Sequence, residues 1–177
     1  GGDSSSLKTL KRADGSLSCD LHELDEHLLE TWLPVFQMYT TCQEPSWRAF
    51  EQRFGAHIPQ GQQMASTTLT PGLLREILAK MDAGTSVGVD GWSVRELRAA
   101  PVALLQRLCD LFACIESFGH WPAALSIGLI TPVPKAGKEL TAEHLRPITV
   151  MPVLYRLWAA AQMRLLIDWQ ETWLARN

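Results

Sequence analysis

The residues in this chain whose types and spacing best suit chemistry are basic ones set beside prolines and glycines. Val133-Pro-Lys-Ala-Gly137 is followed at once by Lys138, and Leu145-Arg-Pro-Ile148 comes soon after. Lysine is a compact point charge and arginine a planar fork, so Lys135 and Arg146 on one basic hairpin are fit to hold phosphates. Upstream, Gly88-Val-Asp-Gly-Trp92 forms a glycine-spaced loop around Asp90. Each element also has a plainer reading. Lys135 and Lys138 could be solvated turn residues, and Arg146 could pair with Glu143 across a surface. Gly88, Asp90 and Gly91 could form only a helix-entry turn, with glycine supplying unusual backbone angles and Asp its own hydrogen bonds.

Other chemistry finds little footing. His22, His27, His57, His120 and His144 are scattered, and the five-residue step from His22 to His27 is poor for sharing a helix face. Asp90, Asp110 and Asp168 lie far apart and show no metal-ligand pattern, and Asp168 reads as a polar position on an amphipathic helix. Neither a Gly-x-Ser-x-Gly elbow nor a Walker loop occurs. Cys19, Cys42, Cys109 and Cys114 make no CxxC pair, which points to reduced thiols in an intracellular protein, nuclear or cytoplasmic.

Helices must do most of the positioning. Asp20 precedes a stripe of Leu21, Leu24, Leu28, Trp32, Phe36 and Tyr39, with Pro34 expected to kink or split it. Ser46 caps a second short helix with Trp47, Phe50 and Phe54, which Gly55 can end. Thr70-Pro71 starts a third, with Leu74, Ile77, Leu78 and Met81 on one face. Ser93-Val-Arg-Glu96 is a capping box. Pro101 opens a longer helix with Leu104, Leu105, Leu108, Leu111, Phe112, Ile115 and Phe118 inward, closed by Gly119. Two extended pieces, residues 127–133 and 145–150, flank the Pro134–Lys138 turn and predict an antiparallel hairpin, with Pro132 confining its strand to an edge or bulge. A last helix, from about Pro152 to Leu174, carries Leu154, Leu157, Trp158, Ala161, Leu165, Trp169 and Trp173. The predicted fold class is α+β, mainly α, with one hairpin.

The 177 residues carry a formal charge of −3, against a wholesale basic coat for nucleic acid. The charge is uneven. Residues 17–60 hold two Arg and seven Asp or Glu, or −5, whereas residues 128–177 hold six Lys or Arg and four acids, or +2. Phosphate contacts are therefore better sought in the C-terminal third. The seven tryptophans read mostly as large core aromatics. No apolar run reaches membrane-spanning length. The polar start, Gly-Gly-Asp-Ser-Ser-Ser, is no signal peptide, and its lack of an initiator Met suggests a fragment. Residues 1–17 read as a disordered tail, 18–69 as a helical extension and linker, and 70–177 as the region holding the candidate chemistry.

In order and spacing, the elements of that region resemble the reverse transcriptases of non-LTR (LINE-like) retrotransposons. The residues that carry the resemblance are Gly88, Asp90, Gly91, Trp121, Pro122, Pro134, Lys135, Gly137, Arg146, Pro147, Ile148, Tyr155 and Arg156. It spans about residues 70–165, and residues 21–58 are similar to the helical extension that often precedes that domain. The resemblance implies a right-handed polymerase whose fingers contain the hairpin and close it over the incoming deoxynucleotide. It assigns Lys135 and Arg146 to the triphosphate, where cations also stabilise charge developing in transfer. It sets Gly88, Asp90 and Gly91 toward the template. Leu145 stands where the family usually has Tyr, which puts an aromatic contact in question and leaves the charge.

Implied partners are an RNA template, a DNA primer, deoxynucleotides and a palm domain, with no membrane. Magnesium is the cofactor of the full-length family enzyme, held by palm aspartates. The family's Tyr-x-Asp-Asp turn and its Phe-and-Asp strand do not occur in this sequence. The expectation is therefore a helical extension plus fingers, with palm and thumb absent, no catalytic residue, no bound metal and no polymerisation by the isolated chain. The alternative is a non-catalytic helical binding module derived from such an element. The last helix separates the two. In a fragment, Leu157, Trp158, Leu165, Trp169 and Trp173 would be exposed for want of the palm, whereas a module would cover them.

Overall fold

A computed structural model describes residues 9–12, 14–38, 40, 45–58, 63, 64 and 67–174. The fold is α+β and mainly α, with two small antiparallel strand pairs. The chain forms two compact units that it enters by turns. One comprises Gly1–Gln60 with Ile130–Ile148, and the other Gly61–Leu129 with Thr149–Asn177. This division differs from the one expected at residues 69 and 70, because the hairpin groups with the N-terminal stretch.

The first unit begins with β1 (Leu10–Lys11) and β2 (Leu17–Ser18), paired antiparallel with Leu10 opposite Ser18. The described part of the expected disordered tail is thus a small hairpin, while residues 1–8 lie outside the described residues. Asp14-Gly15 makes its turn, and Gly15 takes a φ of 87°, which glycine adopts without a Cβ clash. Helix α1 (Leu21–Phe36) follows, its N-cap Asp20 accepting from the amides of His22 and Glu23. Pro34 does not split it. The helix runs through Pro34 as one element and ends two residues later. Leu10, Leu24, Ala142 and Leu145 are buried together with Leu28 and Leu140 against them. Each fully buried leucine contributes about 1.5–3 kcal/mol.

Helix α2 (Trp47–Phe54) is capped by Ser46, whose hydroxyl accepts from the Ala49 amide. Gly55 continues into a 3-10 turn over Gly55–His57 in a right-handed conformation, rather than closing α2 with a left-handed cap. No residue of α2 is buried.

The second unit is a helical core. Helix α3 (Pro71–Lys80) starts at Thr70, whose hydroxyl accepts from Leu73. Helix α4 (Val94–Arg98) has both halves of the Ser93–Glu96 capping box. Helix α5 (Val102–Phe118) ends at Gly119, with a φ of 75° and its amide bonded to the Ile115 carbonyl at 2.8 Å. Helix α6 (Val153–Leu174) closes the unit. Leu74, Leu78, Leu97, Leu105, Phe112, Leu157 and Ala161 are almost wholly buried in one cluster. Arg98 seals the end of α3 by donating to the carbonyls of Leu78, Ala79 and Met81, at 2.8 Å to Leu78. A cation there also suits the helix dipole. Phe118, expected inward, is 74% exposed, because it sits on the last turn of α5, past the end of the packed stripe.

The tryptophans depart from the core reading. Trp47 and Trp92 are exposed, and Trp32, Trp121, Trp158 and Trp169 are only half-buried. Large amphipathic rings keep an edge at the surface. On α6, Leu157 is buried, Trp158 and Leu165 pack against the core, and Trp169 is half-buried. The Trp173 side chain lies outside the described residues. In the described part of this stripe only Leu157 is buried and Trp158, Leu165 and Trp169 are half-buried, while the exposed large apolar residues of α6 are Met163, Leu166 and Ile167. Cys109 is buried and its thiol is pushed up by desolvation, whereas Cys19 and Cys114 are exposed and free. Cys42 lies outside the described residues.

Candidate functional site

The hairpin comprises β3 (Leu129–Pro134) and β4 (Leu145–Val150). Pro134 ends β3, and Lys135 to Lys138 form a turn closed by the Lys138 amide on the Lys135 carbonyl at 3.2 Å. Gly137, with a φ of 69°, occupies the third position, which a type II turn reserves for glycine. The Lys135 amide then bonds the His144 carbonyl at 2.9 Å.

Lys135 and Arg146 are therefore both on this hairpin, in different states. Lys135 is half-buried, and its ammonium donates to the Glu143 carbonyl at 2.9 Å. It is not a free turn lysine. Arg146 is exposed on β4, and among the described residues its side chain makes no ion pair or hydrogen bond. The surface pair with Glu143 considered from the sequence is not formed. Glu143 is held below the usual carboxylate range by its own backbone amide and by Thr141.

The N-terminal hairpin braces the loop between the strands, a support that sequence reasoning missed. The Lys11 amide bonds the Leu140 carbonyl at 2.7 Å, and its ammonium pairs with Glu139 at 2.9 Å. That hydrogen bond and charge lower the Glu139 carboxyl. The Arg12 guanidinium forks onto Glu23, with Nη2 to Oε2 at 2.6 Å, and the Ser18 hydroxyl donates to the same carboxylate at 2.6 Å. Glu23 falls to about 2 as a result. The Trp32 indole donates to the Ala142 carbonyl at 3.2 Å. A signal was present: Asp-Gly between Leu10 and Leu17 is a strong hairpin turn, outweighed by the polar composition around it.

Gly88, Asp90 and Gly91 belong to the second unit, where Gly88 and Asp90 meet the start of α6. The Asp90 carboxylate accepts from the Leu154 amide at 3.3 Å. It thereby caps a helix preceded by Pro152, whose side chain cannot. Its other oxygen, Oδ1, is buried without a hydrogen-bond partner among the described residues, as is Nε of Arg156. Arg156 fixes the loop from the helix side by donating through Nη2 to the Ser86 carbonyl. A Cβ on Gly88 would sit 2.6 Å from the Pro152 Cα and 2.9 Å from the Met151 carbonyl carbon, so only glycine admits this approach. Gly91 has a φ of 69° and open space around it. Nearby, Trp121 contacts Tyr155 and Trp158 at ring-centroid distances of 5.0 and 5.2 Å. Six of the residues that carry the family resemblance, Gly88, Asp90, Gly91, Trp121, Tyr155 and Arg156, are thus parts of one helix-entry structure.

Among the described residues no group of three or more His, Cys, Asp or Glu side chains could hold a metal ion, and no helix is long and apolar enough to cross a membrane. No protein-family model matches the chain, and no curated protein matches it.

Proposed function

We propose that this chain provides the deoxynucleotide-gripping fingers of an RNA-directed DNA polymerase of the non-LTR retrotransposon kind. The observation that carries the reading is a basic turn lysine and an unpaired strand arginine on one braced hairpin. Both lie within the ordered motif series from Gly88 to Arg156. Arg146 offers a free fork to phosphate oxygens, and Lys135 can add a point charge by exchanging the Glu143 carbonyl for a stronger, charged acceptor. Among the described residues no group of three or more His, Cys, Asp or Glu side chains could hold a metal ion, and the reading assigns the magnesium carboxylates to a palm domain. RNA template and DNA primer are the remaining partners of the reading.

Titration of the purified chain with a deoxynucleoside triphosphate tests it. Binding is expected, and the Lys135→Ala/Arg146→Ala variant is expected to weaken it at least about 10-fold, given about 1.5–3 kcal/mol for a charged hydrogen bond. No binding, or binding indifferent to both residues, would sink the proposal. A second reading, a non-catalytic helical module, is favoured by Leu157, Trp158 and Leu165 of α6 packing within their own unit. Binding of RNA or protein with no affinity for triphosphate would select it.

A further inference from the structure

The first unit holds two unpartnered features that complement each other. One is a groove of about 540 Å³ between α1 and the hairpin, lined by Leu28, Leu29, Trp32, Leu33, Phe36, Ile130, Pro132 and Pro147, with Asp25 at its edge. Leu29, Leu33, Phe36 and Ile130 stand exposed there. The other is α2. Its Trp47, Phe50 and Phe54 fall at i, i+3 and i+7 on one face, with ring centroids 5.5 and 5.0 Å apart in sequence, and are 64%, 47% and 40% exposed. That spacing is the anchor pattern of a helix seated in an apolar groove.

Charge agrees with apolar fit. Besides Glu23, which Arg12 already pairs, helix α1 carries Asp25, Glu26 and Glu30 and no Lys or Arg, whereas α2 carries Arg48 and Arg53 against Glu51. Within one copy the two are not joined, since nothing on α2 is buried although both features belong to the same unit. We propose that α2 of one copy docks in the α1 groove of a second copy, and reciprocally, giving a two-fold dimer. Such an exchange repeats one contact twice, as closed symmetry requires. Covering the exposed portions of three aromatic rings and an equal groove surface, twice over, removes roughly 1,200 Å², the lower bound for a specific interface.

Sedimentation equilibrium of the full chain tests the proposal. A concentration-dependent dimer is expected. The triple variant Trp47→Ala/Phe50→Ala/Phe54→Ala should raise its Kd by more than about 100-fold, as loss of clustered aromatic anchors does. It should leave the circular dichroism outside α2 intact, because these rings support no core. The groove variant Leu29→Glu/Leu33→Glu should do the same. Mixing the two variants should give a pair that is weaker than the wild-type dimer but tighter than either variant with itself, since one of the two reciprocal contacts survives in it. A monomer at every concentration, whether α2 then lies in its own groove or in solvent, overturns the proposal. So does a dimer that both variants preserve.

Discussion

Glu23 is held at about 2 by the Arg12 fork and the Ser18 hydroxyl, against an ordinary value of 4.5. A carboxyl lowered on folding contributes stability that is complete above its unfolded value and is lost as pH falls through the folded one. Glu23→Gln should therefore lower the melting temperature at pH 7, and the gap to the wild type should close between about pH 4.5 and pH 2. A gap that stays constant across that range would contradict the ion-pair account. At the start of α6, two glycines separate space from conformation. Gly88→Ala drives a methyl into the Pro152 backbone and should cost about 3 kcal/mol. Gly91→Ala meets open space and suffers only its left-handed backbone, about 1 kcal/mol. Urea denaturation measures both, and equal costs would contradict the close approach.

At the scale of elements, α3, α4, α5 and α6 were legible because their signals are local. Thr70-Pro71, the Ser93–Glu96 box and Gly119 sit where a helix must begin or end, and the apolar spacing between them needs no distant partner. What was not legible is non-local. Asp90 acts on an amide 64 residues away, and nothing near it in sequence announces that α6 lacks a capping side chain of its own. The pairing of Lys11 with Glu139 crosses 128 residues and turns a stretch read as a tail into a brace. Of the candidate site, the residue types and the hairpin were readable from Pro134, Gly137 and Pro147. The hold of the Glu143 carbonyl on Lys135 depends on how the loop folds back and was not. Arg98 offers a test at this scale. Arg98→Ala leaves three carbonyls at the end of α3 without their cation and should destabilise the second unit by about 2 kcal/mol. An unchanged urea midpoint would show that water replaces the guanidinium at no cost.

For the molecule as a whole, the two units divide the residues that first drew attention. Lys135 and Arg146 belong to the unit braced by β1, β2 and α1, and the Gly88–Gly91 loop belongs to the helical core that ends in α6. The helical core accounts structurally for Gly88, Asp90, Trp121 and Arg156, since each fixes the entry of α6. Arg146 has no such occupation, and that leaves the hairpin as the place where the proposed function stands or falls. Amide chemical shifts of the labelled chain, followed during titration with a deoxynucleoside triphosphate, test this most directly. The account predicts that the saturable shifts concentrate on residues 133–146. Shifts confined to the helical core, or no shifts at all, would contradict it.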